Sequence, residues 1–148
     1  FYANGFGVAK DEAEASRLVR QAAELGYAPA QFTLAVRYAT GSGVTQDDAE
    51  AARWYRKAAD QGLALAQFNL AGKYDIGLGV TKDQAEAIRW YRKVADQGFA
   101  DAQFNLALMY EKGRGVAADE AEAARWFRKA ADQGDKGAEA ALKRLGKL

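Results

Sequence analysis

The chain repeats itself. Aligned with itself at a spacing of 36 residues, AQFTLAVRYATGSGV from Ala30 returns as AQFNLAGKYDIGLGV from Ala66 and AQFNLALMYEKGRGV from Ala102. The stretches that follow match as closely: DDAEAARWYRKAADQG from Asp47, DQAEAIRWYRKVADQG from Asp83 and DEAEAARWFRKAADQG from Asp119. A fainter copy, DEAEASRLVRQAAELG, starts at Asp11. A period of this length signals small units that cannot close a core alone and bury their apolar faces by stacking. It divides the chain into the second half of one unit (1–29), three full units (30–65, 66–101, 102–137) and a short end (138–148), together one repeat domain.

Each unit reads as two helices. In the first half, Ala66, Leu70, Ala71 and Tyr74 line one face of a helix, here helix A. It stops at a Gly-x-Gly turn (Gly5/Gly7, Gly41/Gly43, Gly77/Gly79, Gly113/Gly115), where a residue without Cβ reverses the chain. Helix B opens at Asp11, Asp47, Asp83 or Asp119, with Glu14, Glu50, Glu86 or Glu122 three residues on. That is capping-box spacing: the Asp side chain accepts from a free N–H, and the Glu reaches back to the cap's own N–H. Helix B ends at Gly26, Gly62, Gly98 or Gly134. In the last segment Ala138, Ala141, Leu142 and Leu145 continue an apolar stripe, with Glu139, Lys143 and Arg144 on the outer face, which predicts a terminal capping helix. The fold expected is all-α, a solenoid of antiparallel helix pairs.

These residues carry a resemblance. The pattern met by Ala66, Leu70, Ala71, Tyr74, Gly77, Gly79, Val80, Asp83, Ala87, Trp90, Tyr91, Ala95 and Gly98 resembles the Sel-one-like repeat, a branch of the tetratricopeptide-like α-solenoids, and covers essentially the whole chain. The first copy departs from it with Leu18 and Val19 in place of Trp-Tyr, and Val94 replaces an Ala. The resemblance implies a right-handed solenoid and a non-enzymatic scaffold or adaptor that binds proteins or peptides.

Composition narrows the chemistry. Among 148 residues there is no Cys and no His, which removes thiolate nucleophiles, zinc-thiolate sites and the side chain most used for proton transfer near neutral pH. No metal or other cofactor is expected. The 21 basic and 20 acidic residues leave a charge of +1, too little to hold a polyanion or an anionic membrane, and no apolar run nears the roughly 20 residues of a membrane span. The chain does not begin with Met, so it reads as a piece of a longer protein whose compartment is not legible. The Gly-x-Gly turns follow a helix rather than a strand, so they read as turns and not as nucleotide loops. Carboxylate pairs such as Asp47 and Asp48 sit where helix N-termini want negative charge.

Two surfaces remain. The RWYRK, RWYRK and RWFRK rows of helix B alternate basic and aromatic residues, a composition that suits RNA. Glu50 before Arg53 and Asp60 after Arg56 neutralise such a row at helical spacing, and the Trp residues read as packing. The other surface is the arc of helix A opposite its packed face, which in tetratricopeptide-like solenoids lines the concave groove. It carries Phe32, Thr33, Val36, Phe68, Asn69, Ile76, Phe104, Asn105, Leu108 and Lys112. The three Phe suit framework packing with an edge in the groove, while Asn69 and Asn105 suit either gripping a peptide backbone or bonding a neighbour. The expected function is protein or peptide binding in that groove by a monomer. The rivals are RNA binding through helix B and service as an accessory region of an enzyme.

Overall fold

The computed structural model describes residues 6–148, and every regular element among them is an α-helix. The helices are α1 (Phe6–Glu24), α2 (Ala28–Thr40), α3 (Asp48–Asp60), α4 (Ala64–Ile76), α5 (Gln84–Asp96), α6 (Ala100–Lys112), α7 (Glu120–Asp132) and α8 (Lys136–Arg144). The even-numbered α2, α4 and α6 are helices A; the odd-numbered ones are helices B. Each packs chiefly on its neighbours in the chain, as a solenoid requires.

The core follows the period. Leu34, Leu70 and Leu106 of the helices A are fully buried, and the alanines beside them let helix B approach closely. Trp54, Trp90 and Trp126 are only 2–4% exposed. Each indole N–H donates to a Glu one turn earlier, Trp90 to Glu86 Oε1 at 3.1 Å.

The two glycines of each turn do different things. The first ends helix A in the left-handed conformation, as at Gly77, whose N–H donates to the Lys73 carbonyl at 2.8 Å. The second touches the unit before: a Cβ on Gly79 would lie 2.1 Å from the Asp48 carbonyl oxygen. The turn is therefore a steric joint between units.

Three sequence expectations need correction. The cap Asp accepts from the N–H three residues on, as Asp83 does from Glu86 at 3.0 Å, but the Glu does not reach back. The cap's N–H is already taken by a tyrosine carbonyl of helix A, Asp83 to Tyr74 at 2.9 Å, so Glu86 turns instead to Arg89 and Trp90. Second, helix B of the first copy does not start at Asp11, for α1 runs without a break from Phe6 through Asp11. The segment around Asp11 is rich in helix formers, and Tyr2, counterpart of the tyrosine that fixes the cap elsewhere, lies outside the described residues, as does Gly5. Third, Arg56 does not answer Asp60. It crosses to the next unit, donating to Tyr74 Oη at 2.9 Å and Glu86 Oε1 at 3.3 Å.

At the C-terminal end α8 buries Ala138, Ala141 and Leu142 and is capped by Asp135, which accepts from the Ala138 N–H at 2.8 Å. Where an earlier unit would offer a tyrosine, Gly146 stands, and Arg128 donates to the Lys147 carbonyl instead.

Candidate functional site

Successive helices A present the arc opposite their packed face. Phe32, Phe68 and Phe104 are half-buried there, each set edge-on or tilted against the ring one helix later: Tyr55 at 5.7 Å, Tyr91 at 5.6 Å and Phe127 at 5.6 Å between centroids. They belong to the framework, each with part of its surface exposed. The tyrosine rings are buried, and their hydroxyls come up beside the asparagines. Burial pushes the Tyr55 and Tyr91 phenols up, and hydrogen bonds from Asn69 and Asn105 act against that rise. The nearby Asp75 charge raises Tyr91 further.

Around Gly72 this arrangement opens into a cleft of about 370 Å³, lined by Tyr55, Phe68, Asn69, Lys73, Asp75, Ile76, Tyr91 and Asn105. Lys73 Nζ stands 5.7 Å from the Tyr55 ring centre. Asp75 accepts from Gln84 Nε2 at 3.0 Å and lies 3.8 Å from Arg114. Beyond Phe68 and Asn69 a more apolar hollow of about 230 Å³ continues along Leu65, Val94 and Phe99.

The cleft thus gathers Phe68, Asn69, Ile76 and Asn105 of the expected arc. Thr33 and Val36 line a separate hollow with Arg37 and Thr40, where the Thr33 hydroxyl donates to the Pro29 carbonyl and Thr40 to Val36. Phe32, Phe104, Leu108 and Lys112 line neither. Sequence reasoning missed Lys73, Asp75 and the hydroxyls of Tyr55 and Tyr91, which it assigned to packing. Arg144, expected on the outer face of the terminal helix and one period beyond Leu108, instead holds Glu111 through two bonds at 2.5 and 3.0 Å. A signal was present: the tyrosine position reads Phe in the third unit, so the hydroxyl is dispensable for packing.

The helix B rows are occupied by their own partners. Arg53, Arg89 and Arg125 bind Glu50, Glu86 and Glu122 at 2.5–2.6 Å. Lys57, Lys93 and Lys129 lie over the indoles of Trp54, Trp90 and Trp126. Among the described residues no acidic cluster has the makings of a metal site, and no helix is long and apolar enough to cross a membrane.

The family model of the Sel1 repeat matches the chain four times, over residues 1–27, 28–63, 64–99 and 100–135. The chain belongs to the Sel1 repeat family. Three of the matched Sel1 units begin at the first residue of a helix A, two residues before the periods counted from Ala30. Sel1 repeat proteins are generally protein-interaction scaffolds, and the repeat is generally non-catalytic. Similar solved structures include a protective antigen of uropathogenic Escherichia coli strains with an SLR fold, 42% identical, with a TM-score of 0.82 over 86% of this chain and 27% of that one. A Sel1 repeat protein from Oxalobacter formigenes is 37% identical, with a TM-score of 0.86 over 95% of this chain and 58% of that one. This chain therefore spans less than two thirds of either. Helicobacter pylori cysteine rich protein B, 24% identical with a TM-score of 0.69 over 93% of this chain and 99% of that one, shares the fold. No curated protein sequence matches the chain.

Proposed function

We propose that this chain is a non-enzymatic scaffold, a monomer acting as one repeat domain, whose helix A face takes an extended peptide or protein segment. The observation that carries the reading is the cleft around Gly72. Four consecutive helices, α3 to α6, contribute hydroxyl, carboxamide, amine and carboxylate groups to one open hollow that runs on into an apolar one. Alternating hydrogen-bonding and apolar surface along a groove suits a chain whose backbone and side chains alternate in the same way. The helix B rows, by contrast, have the first arginine of each answered by a glutamate and their indoles buried under the lysines, which speaks against nucleic acid stacking there.

The test is selection from a random nonapeptide library displayed on phage. Peptides that bind the parent chain should lose at least tenfold affinity for the double variant Asn69→Ala with Asn105→Ala, with the melting temperature only slightly lowered. Unchanged affinity beside a large drop in melting temperature would make these amides structural and overturn the groove reading.

A further inference from the structure

Gly72 sits in the interior of α4 with ordinary helical backbone, a place where glycine weakens a helix more than any residue except proline. The fold does not demand it. A Cβ built there meets only the Tyr91 hydroxyl at 3.6 Å, an ordinary contact, whereas one at Gly79 would drive into backbone. One period earlier and later the same place holds Val36 and Leu108, both half-buried in the same framework. What glycine provides here is space, and that space is the cleft.

The groups around the space define what fits. Asn69, Asn105 and the hydroxyls of Tyr55 and Tyr91 line it together. A carboxamide carries two N–H donors and a carbonyl acceptor, and a phenol both donates and accepts, so the lining offers both kinds of partner. Lys73, beside the Tyr55 ring, and Asp75 bring opposite charges to the cleft, and Asp75 is already held by Gln84 and faced by Arg114. An ionic ligand group would meet both signs and still have to shed its water. An apolar group would leave hydroxyls and amides without partners. A neutral group with both donors and acceptors satisfies them.

We propose that Gly72 opens a seat for the carboxamide of an asparagine or glutamine in an extended peptide. This inference rests on the groove reading and adds the chemistry of the bound side chain. Gly72→Leu closes the seat with the residue the next unit uses, and Gly72→Ala narrows it with one methyl group.

The experiment selects from the same nonapeptide library on the parent chain and measures the enriched peptides on both variants. The parent should enrich peptides with Asn or Gln at one fixed position, and replacing that residue by Leu or Glu should weaken binding at least tenfold. Gly72→Leu should weaken it at least tenfold and Gly72→Ala less, while both variants melt at or above the parent's temperature. Enrichment without a fixed carboxamide position overturns the seat, as does unchanged affinity for Gly72→Leu. A fall in melting temperature in both variants also overturns it, because the glycine would then serve the fold. If peptides ignore Gly72→Leu yet lose affinity with Asn69→Ala and Asn105→Ala, the seat falls and the groove reading stands. If no peptide is enriched, both fall.

Discussion

Gln97 donates its side-chain amide to Gln67 Oε1 at 3.1 Å, and Gln67 donates in turn to the Ala59 carbonyl at 3.1 Å. The same relay links Gln61, Gln31 and Ala23, and again Gln133, Gln103 and Ala95. It ties the end of one helix B, through the buried helix A, to the end of the helix B before it. Gln67→Leu keeps the volume but removes one donor from the Ala59 carbonyl, which keeps the Gly62 N–H at 2.9 Å, and one acceptor from Gln97, which keeps the Lys93 carbonyl at 3.1 Å. Chemical denaturation should show a loss of about 0.5–1.5 kcal/mol. An unchanged midpoint would mean the relay only fills space.

Trp90 is 4% exposed and packs beneath Arg56 of the preceding helix B, with Arg89 and Lys93 over its ring. Trp90→Ala should cost about 3–5 kcal/mol, read from the same denaturation curves. A cost under about 1 kcal/mol would place the indole at the surface and reopen a stacking role on helix B.

Two glycines of positive φ separate strain from collision. At Gly98, φ 96°, an added Cβ meets nothing within 4 Å, so Gly98→Ala should cost only the left-handed strain, about 1–2 kcal/mol. At Gly79, φ 77°, the same atom collides with the Asp48 carbonyl, and Gly79→Ala should cost roughly 3 kcal/mol or more. Equal losses would show that the joint between units yields freely.

Acid should loosen the stack. Glu50, Glu86 and Glu122 are held below the ordinary carboxylate range, chiefly by the hydrogen bond from the arginine three residues on, against a smaller opposing pull from burial. A carboxylate whose folded pKa is lowered stabilises the fold at pH above its unfolded value, about 4.3, and loses that contribution as pH falls through the folded value. The melting temperature should therefore drop as pH is taken below about 4.3. Glu86→Gln, which cannot titrate, should show a shallower acid slope. A variant slope as steep as the parent's would assign the acid loss to other groups.

The helices, their ends and their stacking were legible because the period repeats each signal three times over. What one unit cannot reveal is the partner of a group that bonds across units. Glu86 has capping-box spacing, yet the Tyr74 carbonyl had already met the N–H it was expected to serve. Arg56 had Asp60 at helical distance and bound the next helix B instead. The second turn glycine read as a turn, while its tightest reason is the backbone of the preceding unit. The candidate site was half legible. Asn69, Asn105, Phe68 and Ile76 lie on the expected arc, but Tyr55 and Tyr91 belong to the buried stripe of helix B, and only their hydroxyls cross to the groove. Hydropathy patterns assign a whole residue to one side; an amphipathic ring belongs to both.

The most direct measurement of the central claim is a nuclear magnetic resonance titration of the isotope-labelled chain with a library-selected nonapeptide. The account predicts shifts of the Asn69 and Asn105 side-chain amides and the Gly72 backbone amide, with the indole N–H signals of Trp54, Trp90 and Trp126 unmoved. Shifts centred on those indoles, with the helix A amides unmoved, would contradict it and place recognition on the helix B face.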